Sequence, residues 1–178
     1  MTNTDWYIKQ ATPIIPQWKE PAVPRHVIQM LIVDPNQRCL IMHRSNNVRS
    51  ARNVWSIPTG EHEIGETIEQ CAFRELQEEY GLVGNDITLL SQYENIAGDE
   101  APPHYHWILS IYGIHVDDVT KAINKEPDKH DQMIFPRMRD ISDEFFDTHR
   151  FHVSLHDHLR LNFREFKFML FPEFPVVS

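Results

Sequence analysis

Residues 60–82 read GEHEIGETIEQCAFRELQEEYGL, and this stretch limits the possible folds more than any other part of the chain. Thr67-Ile68-Glu69-Gln70 matches a capping box, in which the Thr67 hydroxyl serves the amide three residues on and Gln70 reaches back. Gly81 stands where a left-handed residue ends a helix. The sequence therefore predicts a single helix between these signals. At about 100° per residue, Glu78 lies about 60° from Glu75 in one sense and Glu79 about 40° in the other. Ala72, Phe73, Leu76 and Tyr80 fall on a neighbouring arc, so core packing and carboxylate presentation are expected to use separate faces. Like charges this close repel unless a cation joins them. A ligand set made only of oxygen selects a hard divalent ion, Mg²⁺ first and Mn²⁺ second. Arg74 and Glu78 are four residues apart, the spacing of an ion pair that would hold one carboxylate in place. The preceding loop, from Pro58-Thr59-Gly60 to Gly65-Glu66, carries two glycines that let backbone approach a ligand closely. A Glu-x-x-Glu-Glu run by itself is ordinarily a solvated helix face.

Composition narrows the setting. With 178 residues, 41% hydrophobic and 24% charged, the chain is expected to form one soluble globular domain with a sizeable core. No apolar run reaches the length of a membrane span, and the start MTNTDWYIKQ lacks a basic and then apolar leader. Cys39 and Cys71 are sparse and sit in apolar patterns, as reduced thiols do. The expectation is a cytoplasmic protein with no membrane attachment. Cys71, one turn before Glu75, is expected to pack rather than react. The net charge of −9 argues against broad nucleic-acid binding, which phosphate neutralisation drives. A small phosphorylated substrate remains compatible, because a metal and a few local cations reverse the field inside a cleft. Arg44, Arg49 and Arg52 supply such a cluster. Arg44 ends a strand; for Arg49 and Arg52 the competing role is plain solubility.

Residues 1–24 hold Pro13, Pro16, Pro21 and Pro24 among Trp6, Tyr7, Ile14, Ile15 and Trp18. Proline at this density denies a helix or a central strand. The expectation is an extended segment packed on the domain, at a homodimer interface or over the substrate cleft, with the domain itself running from 25 to 178. Strands are expected at 26–33, 39–43, 54–58, 87–93, 104–116 and 133–135. A turn falls at Asp34-Pro35-Asn36, polar loops at 46–53 and 98–103, and a polar connection over 117–132. Helices are expected from Ser142 onward and over 151–163. Strands interleaved with helices imply the α/β class and an α/β/α sandwich. His149, His152, His156 and His158 invite a zinc site, since His152 and His156 are four apart. With no cysteine or His-Glu-x-x-His pattern beside them, a partly exposed helix is the expected role.

Taken together, Gly60, Glu66 and Arg74-Glu75-Leu76-Gln77-Glu78-Glu79-Tyr80-Gly81-Leu82 resemble the Nudix box at every specified position: Gly, five residues, Glu, seven residues, Arg-Glu-Leu-x-Glu-Glu-x-Gly-Leu. The resemblance extends over residues 27–141. It implies the Nudix fold, an α/β/α sandwich around a mixed β-sheet, and hydrolysis of a diphosphate linkage by divalent metal and water. It further implies that Glu75, Glu78 and Glu79 bind the metal, with Glu75 also acting as base or orienting the water. Arg74 would orient those glutamates, the Thr59 carbonyl would add a ligand, and Glu66 would tie the loop to the helix. Arg44 resembles a phosphate-contacting arginine of MutT-type relatives, and Arg49, Arg52 and Gly60 join it as substrate-binding candidates. His104-Tyr105, followed by Asn124-Lys125-Glu126-Pro127-Asp128-Lys129, is similar to the sub-group that converts nucleoside triphosphates to monophosphates and pyrophosphate. Two positions depart from that sub-group: Phe135 stands where its strand usually has Trp, and Thr59 replaces a common Gly. Base preference is therefore open. Glu126 or Asp131 would add a carboxylate to the metal site, against the plainer role of a solvated acidic loop. The alternative substrates are sugar nucleotides, ADP-ribose, dinucleoside polyphosphates and capped RNA ends. A nucleotide-sensing module without catalysis would be expected to lose part of the glutamate set, which this chain keeps whole.

Overall fold

A computed structural model describes residues 25–49, 51–96, 106–151 and 153–172. The N-terminal extension, the loop expected at 98–103, His104-Tyr105, His152 and the His156 side chain lie outside the described residues. Strand β1 (Arg25–Val33) is the spine of the larger sheet, and its apolar run is buried on both faces, as a central parallel strand requires. It runs parallel to the long strand His106–Val116 from Arg25↔Trp107 to Val33↔His115. The remaining strands, in chain order, are β2 (Ile41–Arg44), β3 (Val54–Ser56), β4 (Thr59–Glu61) and β5 (Gly84–Ile96), then β6 (His106–Val116) and β7 (His130–Ile134). The four-stranded sheet has the order β4-β1-β6-β5 and is mixed, with only β1 and β6 parallel. A smaller antiparallel sheet has the order β3-β2-β7. The two meet at the turn after β1, where the Asp34 carboxylate accepts from the Asn36 and Arg38 amides at 2.8 and 3.1 Å.

Alternation along β1 divides the core in two. Ile28, Met30 and Ile32 pack with Leu40 and Met42 against helix α1 (Ile68–Tyr80). Leu31 and Val33 pack with Ile41 and Ile111 on the opposite side, toward helices α2 (Asp143–Thr148) and α3 (Val153–Leu170). The architecture is the expected α/β/α sandwich, with a three-stranded sheet beside the mixed one.

Element boundaries differ in instructive places. The strand expected at 54–58 breaks into β3 and β4, because Pro58 has no amide to give a ladder; its carbonyl instead accepts from Met30 at 2.8 Å. Thr59 to Glu61, expected as loop, thereby pairs with β1. The connection over 117–132 contains a 3-10 turn, Val119–Lys121, whose Val119 is buried, and it yields its last residues to β7. Helix α3 continues past 163 because Leu159, Phe163, Phe166 and Leu170 keep one apolar face buried.

Candidate active site

Helix α1 starts and stops where its caps dictate. Thr67 Oγ1 accepts from the Gln70 amide at 3.2 Å, and Gln70 Oε1 accepts from the Thr67 amide at 2.8 Å. Gly81 adopts φ 65°, the left-handed conformation that favours glycine. Ala72, Leu76 and Tyr80 anchor the helix in the core, with Cys71 beside them, its thiol pushed up to about 12 by burial.

Arg74, at the middle of the helix, gathers acids from the helix and the loop before it. Its Nη2 donates to Glu66 Oε1 at 2.9 Å, and its Nη1 donates to Glu75 Oε1 at 3.0 Å and Glu78 Oε2 at 3.3 Å. Glu66 also accepts from the Glu63 amide at 2.8 Å, so loop and helix are tied through it. The Arg74 hydrogen bond and the Glu63 amide hold Glu66 down to about 2. Glu75 is raised above the usual carboxylate range by burial, against the pull of Arg74. Gly60 makes room for this arrangement: a Cβ there would sit 2.5 Å from Glu75 Cγ. Thr59 opens β4 beside it.

Glu79 is treated differently. The residue is only 9% exposed, although the sequence places it on the carboxylate side, so packing and presentation do compete here. The loop after the Val119–Lys121 turn docks on the C-terminal end of α1. Ile123 and Lys125 amides donate to the Tyr80 and Glu79 carbonyls at 2.9 and 3.0 Å, and Lys125 Nζ donates to the Gln77 carbonyl at 2.8 Å. These bonds satisfy carbonyls that a helix end otherwise leaves open, and they bring Glu126 against Glu79. Glu79 Oε2 and Glu126 Oε2 are both buried without a hydrogen-bond partner. Burial, and then the neighbouring Glu126 carboxylate, raise Glu79 to about 8. In Glu126 burial also works against ionisation, but the Glu79 and Lys129 side chains outweigh it and keep this acid low. Lys129 Nζ lies 2.7 Å from Glu126 Oε1 and 4.0 Å from Glu79 Oε1.

Arg44, on β2, is the one member of the arginine cluster that enters this region. It is partly buried, donates from Nε to the Ala51 carbonyl at 3.1 Å, and feels Tyr80 and Glu79 as favourable charges against its burial. Arg52 is exposed and donates to the Val48 carbonyl at 2.7 Å, pinning its own loop; Arg49 is exposed. Asp131 accepts from His43 Nδ1 at 2.6 Å rather than joining Glu126.

Two residues here were given no role by the sequence. Lys129 and His130 follow Glu126 in the Glu-Pro-Asp-Lys-His run, and that mix of charges was the available signal. His130 is 3% exposed, stacks on Tyr80 and has neither ring nitrogen hydrogen-bonded. Burial, then Arg44, lower it to about 4. Of the histidine group, His149 bonds the Phe145 carbonyl at 2.9 Å and His158 bonds Ser91 Oγ at 2.7 Å, so each is occupied separately.

The expected trio of carboxylates is not gathered into one cage. Among the described residues no three His, Cys, Asp or Glu side chains lie close enough to enclose a metal. Glu75 and Glu78 turn to Arg74, and Glu79 pairs with Glu126. That pair still suits a divalent ion. Two unpartnered, buried carboxylate oxygens are what a hard cation would satisfy, and Mg²⁺ is commonly held by one or two carboxylates with water and substrate phosphates.

The NUDIX domain family model matches residues 23–167. The chain belongs to the Nudix family. Members of this family generally use divalent cations. A MutT NUDIX hydrolase from Burkholderia pseudomallei is similar in structure, with a TM-score of 0.56 and 26% identity over 68% of this chain and 88% of that one. A MutT protein from Methanosarcina mazei Go1 shares the Nudix fold at a TM-score of 0.62 and 16% identity, over 83% and 98%. RNA pyrophosphohydrolase of Tolumonas auensis is 42% identical over 65 residues, and that of Edwardsiella ictaluri 40% over 65. These matches span 34% of this chain and 37% of each relative. Among the described residues no helix is long and apolar enough to cross a membrane.

Proposed function

We propose that this Nudix chain is a Mg²⁺-dependent pyrophosphohydrolase that cleaves a nucleoside triphosphate to the monophosphate and pyrophosphate. The observation that carries the reading is the Glu79–Glu126 pair, which sets a carboxylate of α1 against one of the adjoining loop, each with one buried, unpartnered oxygen. A divalent ion bound there would neutralise pyrophosphate oxygens and lower the pKa of attacking water. Glu75, Glu78, Glu79 and Glu126, with the Thr59 carbonyl, are the proposed ligands. Mn²⁺ is the alternative ion.

The chain's own groups then divide the remaining work. Arg74 fixes Glu75 and Glu78, and Glu75 is the proposed base or water-orienting group. Glu75's raised pKa favours taking a proton. Arg44 is the proposed contact for a substrate phosphate, and Arg49 and Arg52 would act only at the rim. Phosphoryl transfer asks mainly for such positioning and charge stabilisation. Two free buried thiols, Cys39 and Cys71, support a cytoplasmic setting.

A second substrate has a specific observation behind it. The two bacterial relatives named RNA pyrophosphohydrolase suggest the 5′-triphosphate end of an RNA. The same bond chemistry serves both. A panel of nucleoside triphosphates, 5′-triphosphorylated RNA, sugar nucleotides, ADP-ribose and dinucleoside polyphosphates, with Mg²⁺, Mn²⁺ or EDTA, separates them. Running it in ¹⁸O-water identifies the phosphorus attacked. Cleavage of a phosphoanhydride bond in none of these compounds, under any metal, would sink the hydrolase reading and favour a nucleotide sensor.

A further inference from the structure

On the far side of the mixed sheet from α1, a depression of about 280 Å³ opens between the Met138–Asp140 turn, the start of α2 and the outer half of α3. Its volume approaches the lower end of small-ligand pockets, about 300 Å³. Ile141, Phe146 and Phe163 form an apolar floor that belongs to the core on that side. Its rim carries Arg139, Arg160, Arg164 and Lys167 against one carboxylate, Asp143. Four of the chain's 17 Lys and Arg residues thus meet at one depression in a protein of net charge −9.

The cations are not all accounted for by internal pairing. Arg160 is committed, to Asp143 at 3.0 Å and Asp147 at 3.1 Å, and it clamps α2 to α3. Arg139 has only a 3.6 Å approach to its neighbour Asp140. Arg164 and Lys167 follow Arg160 on the same helix face. No ion pair or hydrogen bond joins either of them to a described side chain. Like charges at this spacing destabilise a helix. The helix dipole favours Lys167 in the last turn, but that effect does not extend to Arg164 or to Arg139 on the opposite wall. An anion between the walls would offset all three.

We propose that this depression is a second, non-catalytic site for a small organic phosphate of mononucleotide size. Its phosphate lies between Arg139, Arg164 and Lys167, and its body rests at the edge of the Phe146–Phe163 floor. The proposal does not depend on the hydrolase reading, because the site shares no residue with α1 or the Glu126 loop. Its occupancy would press α2 and α3 together, and through them the core beneath β1.

The test is calorimetric titration of the metal-free full chain, in EDTA at low salt, with AMP, inorganic phosphate and adenosine as probes. AMP should bind, adenosine should not, and added salt should weaken binding. The double variant Arg164→Ala/Lys167→Ala should raise the Kd for AMP by at least about tenfold, while Arg44→Ala leaves it unchanged. Both substituted side chains lie on the helix surface; should that variant nevertheless unfold, Arg139→Ala on the opposite wall provides the same reading. The proposal is overturned if AMP does not bind at millimolar concentration, if adenosine binds as tightly as AMP, or if Arg44→Ala abolishes binding while the Arg164/Lys167 change has no effect.

Discussion

Glu75 and Glu78 share the guanidinium of Arg74, whereas Glu79, on the same helix, meets Glu126 and only a 4.0 Å approach from Lys129. The first arrangement is hydrogen-bonded within the fold, although one guanidinium serves three carboxylates. The second is left with two unpartnered oxygens and a carboxyl near 8. The contrast shows how one helix can be locally satisfied at one point and dependent on an external cation or proton at another. Glu78, 63% exposed at its side chain, can reorient at little cost; Glu79 cannot.

The most damaging change to this contrast is Glu79→Gln. Turnover with Mg²⁺ should fall by about 10²- to 10⁴-fold, while thermal scans of the metal-free protein at pH 8 to 9 show no loss, since a neutral amide replaces a poorly solvated acid. Retained turnover would break the assignment of Glu79. Next is Arg74→Ala, which removes the partner of Glu66, Glu75 and Glu78 together. It should lower stability by about 1–3 kcal/mol and reduce kcat, with Arg74→Lys only a partial rescue, because an ammonium cannot span three carboxylates. Urea titration and steady-state kinetics check both parts.

Gly60→Ala intrudes on Glu75 Cγ without touching Glu79. A cost of about 1–3 kcal/mol from overpacking is expected, accompanied by a lower kcat and an unchanged pH response of the Glu79 pair. The subtlest effect is linkage. Glu79 is raised in the folded state, so between about pH 4.5 and 8 the folded protein binds the extra proton. Metal-free stability from this group therefore declines as pH rises through that window. Metal binding should displace the proton, which calorimetry in buffers of different ionisation enthalpy would count. His130 acts oppositely: lowered to about 4, it withdraws stability as pH falls from about 6.5. Glu126→Gln should shift the Glu79 window to lower pH and, by removing a carboxylate that raises His130, extend the His130 window to lower pH as well.

The two regions were unequally legible. Thr67, Gln70 and Gly81 mark the helix because caps are local chemistry, and the Arg74–Glu78 pair follows from spacing alone. The partnership of Glu79 with Glu126 could not be read this way, because it depends on Ile123 and Lys125 docking on the end of α1. The sequence set Arg44 apart from Arg49 and Arg52 because it ends a strand, but only the fold puts it within reach of the Glu79 charge and Arg52 on its own loop. The cluster of Arg139, Arg164 and Lys167 needed α3 to pack across the Met138–Asp140 turn before it existed at all.

Periodicity and capping along the chain sufficed to determine the carboxylate helix, the apolar strands and the layered class, since each depends on neighbours within a few residues. Which acid is buried, which is neutralised and which lacks a counter-charge was decided only by tertiary structure. Desolvation and ion pairing depend on groups brought together from distant segments, and no local pattern records those distances.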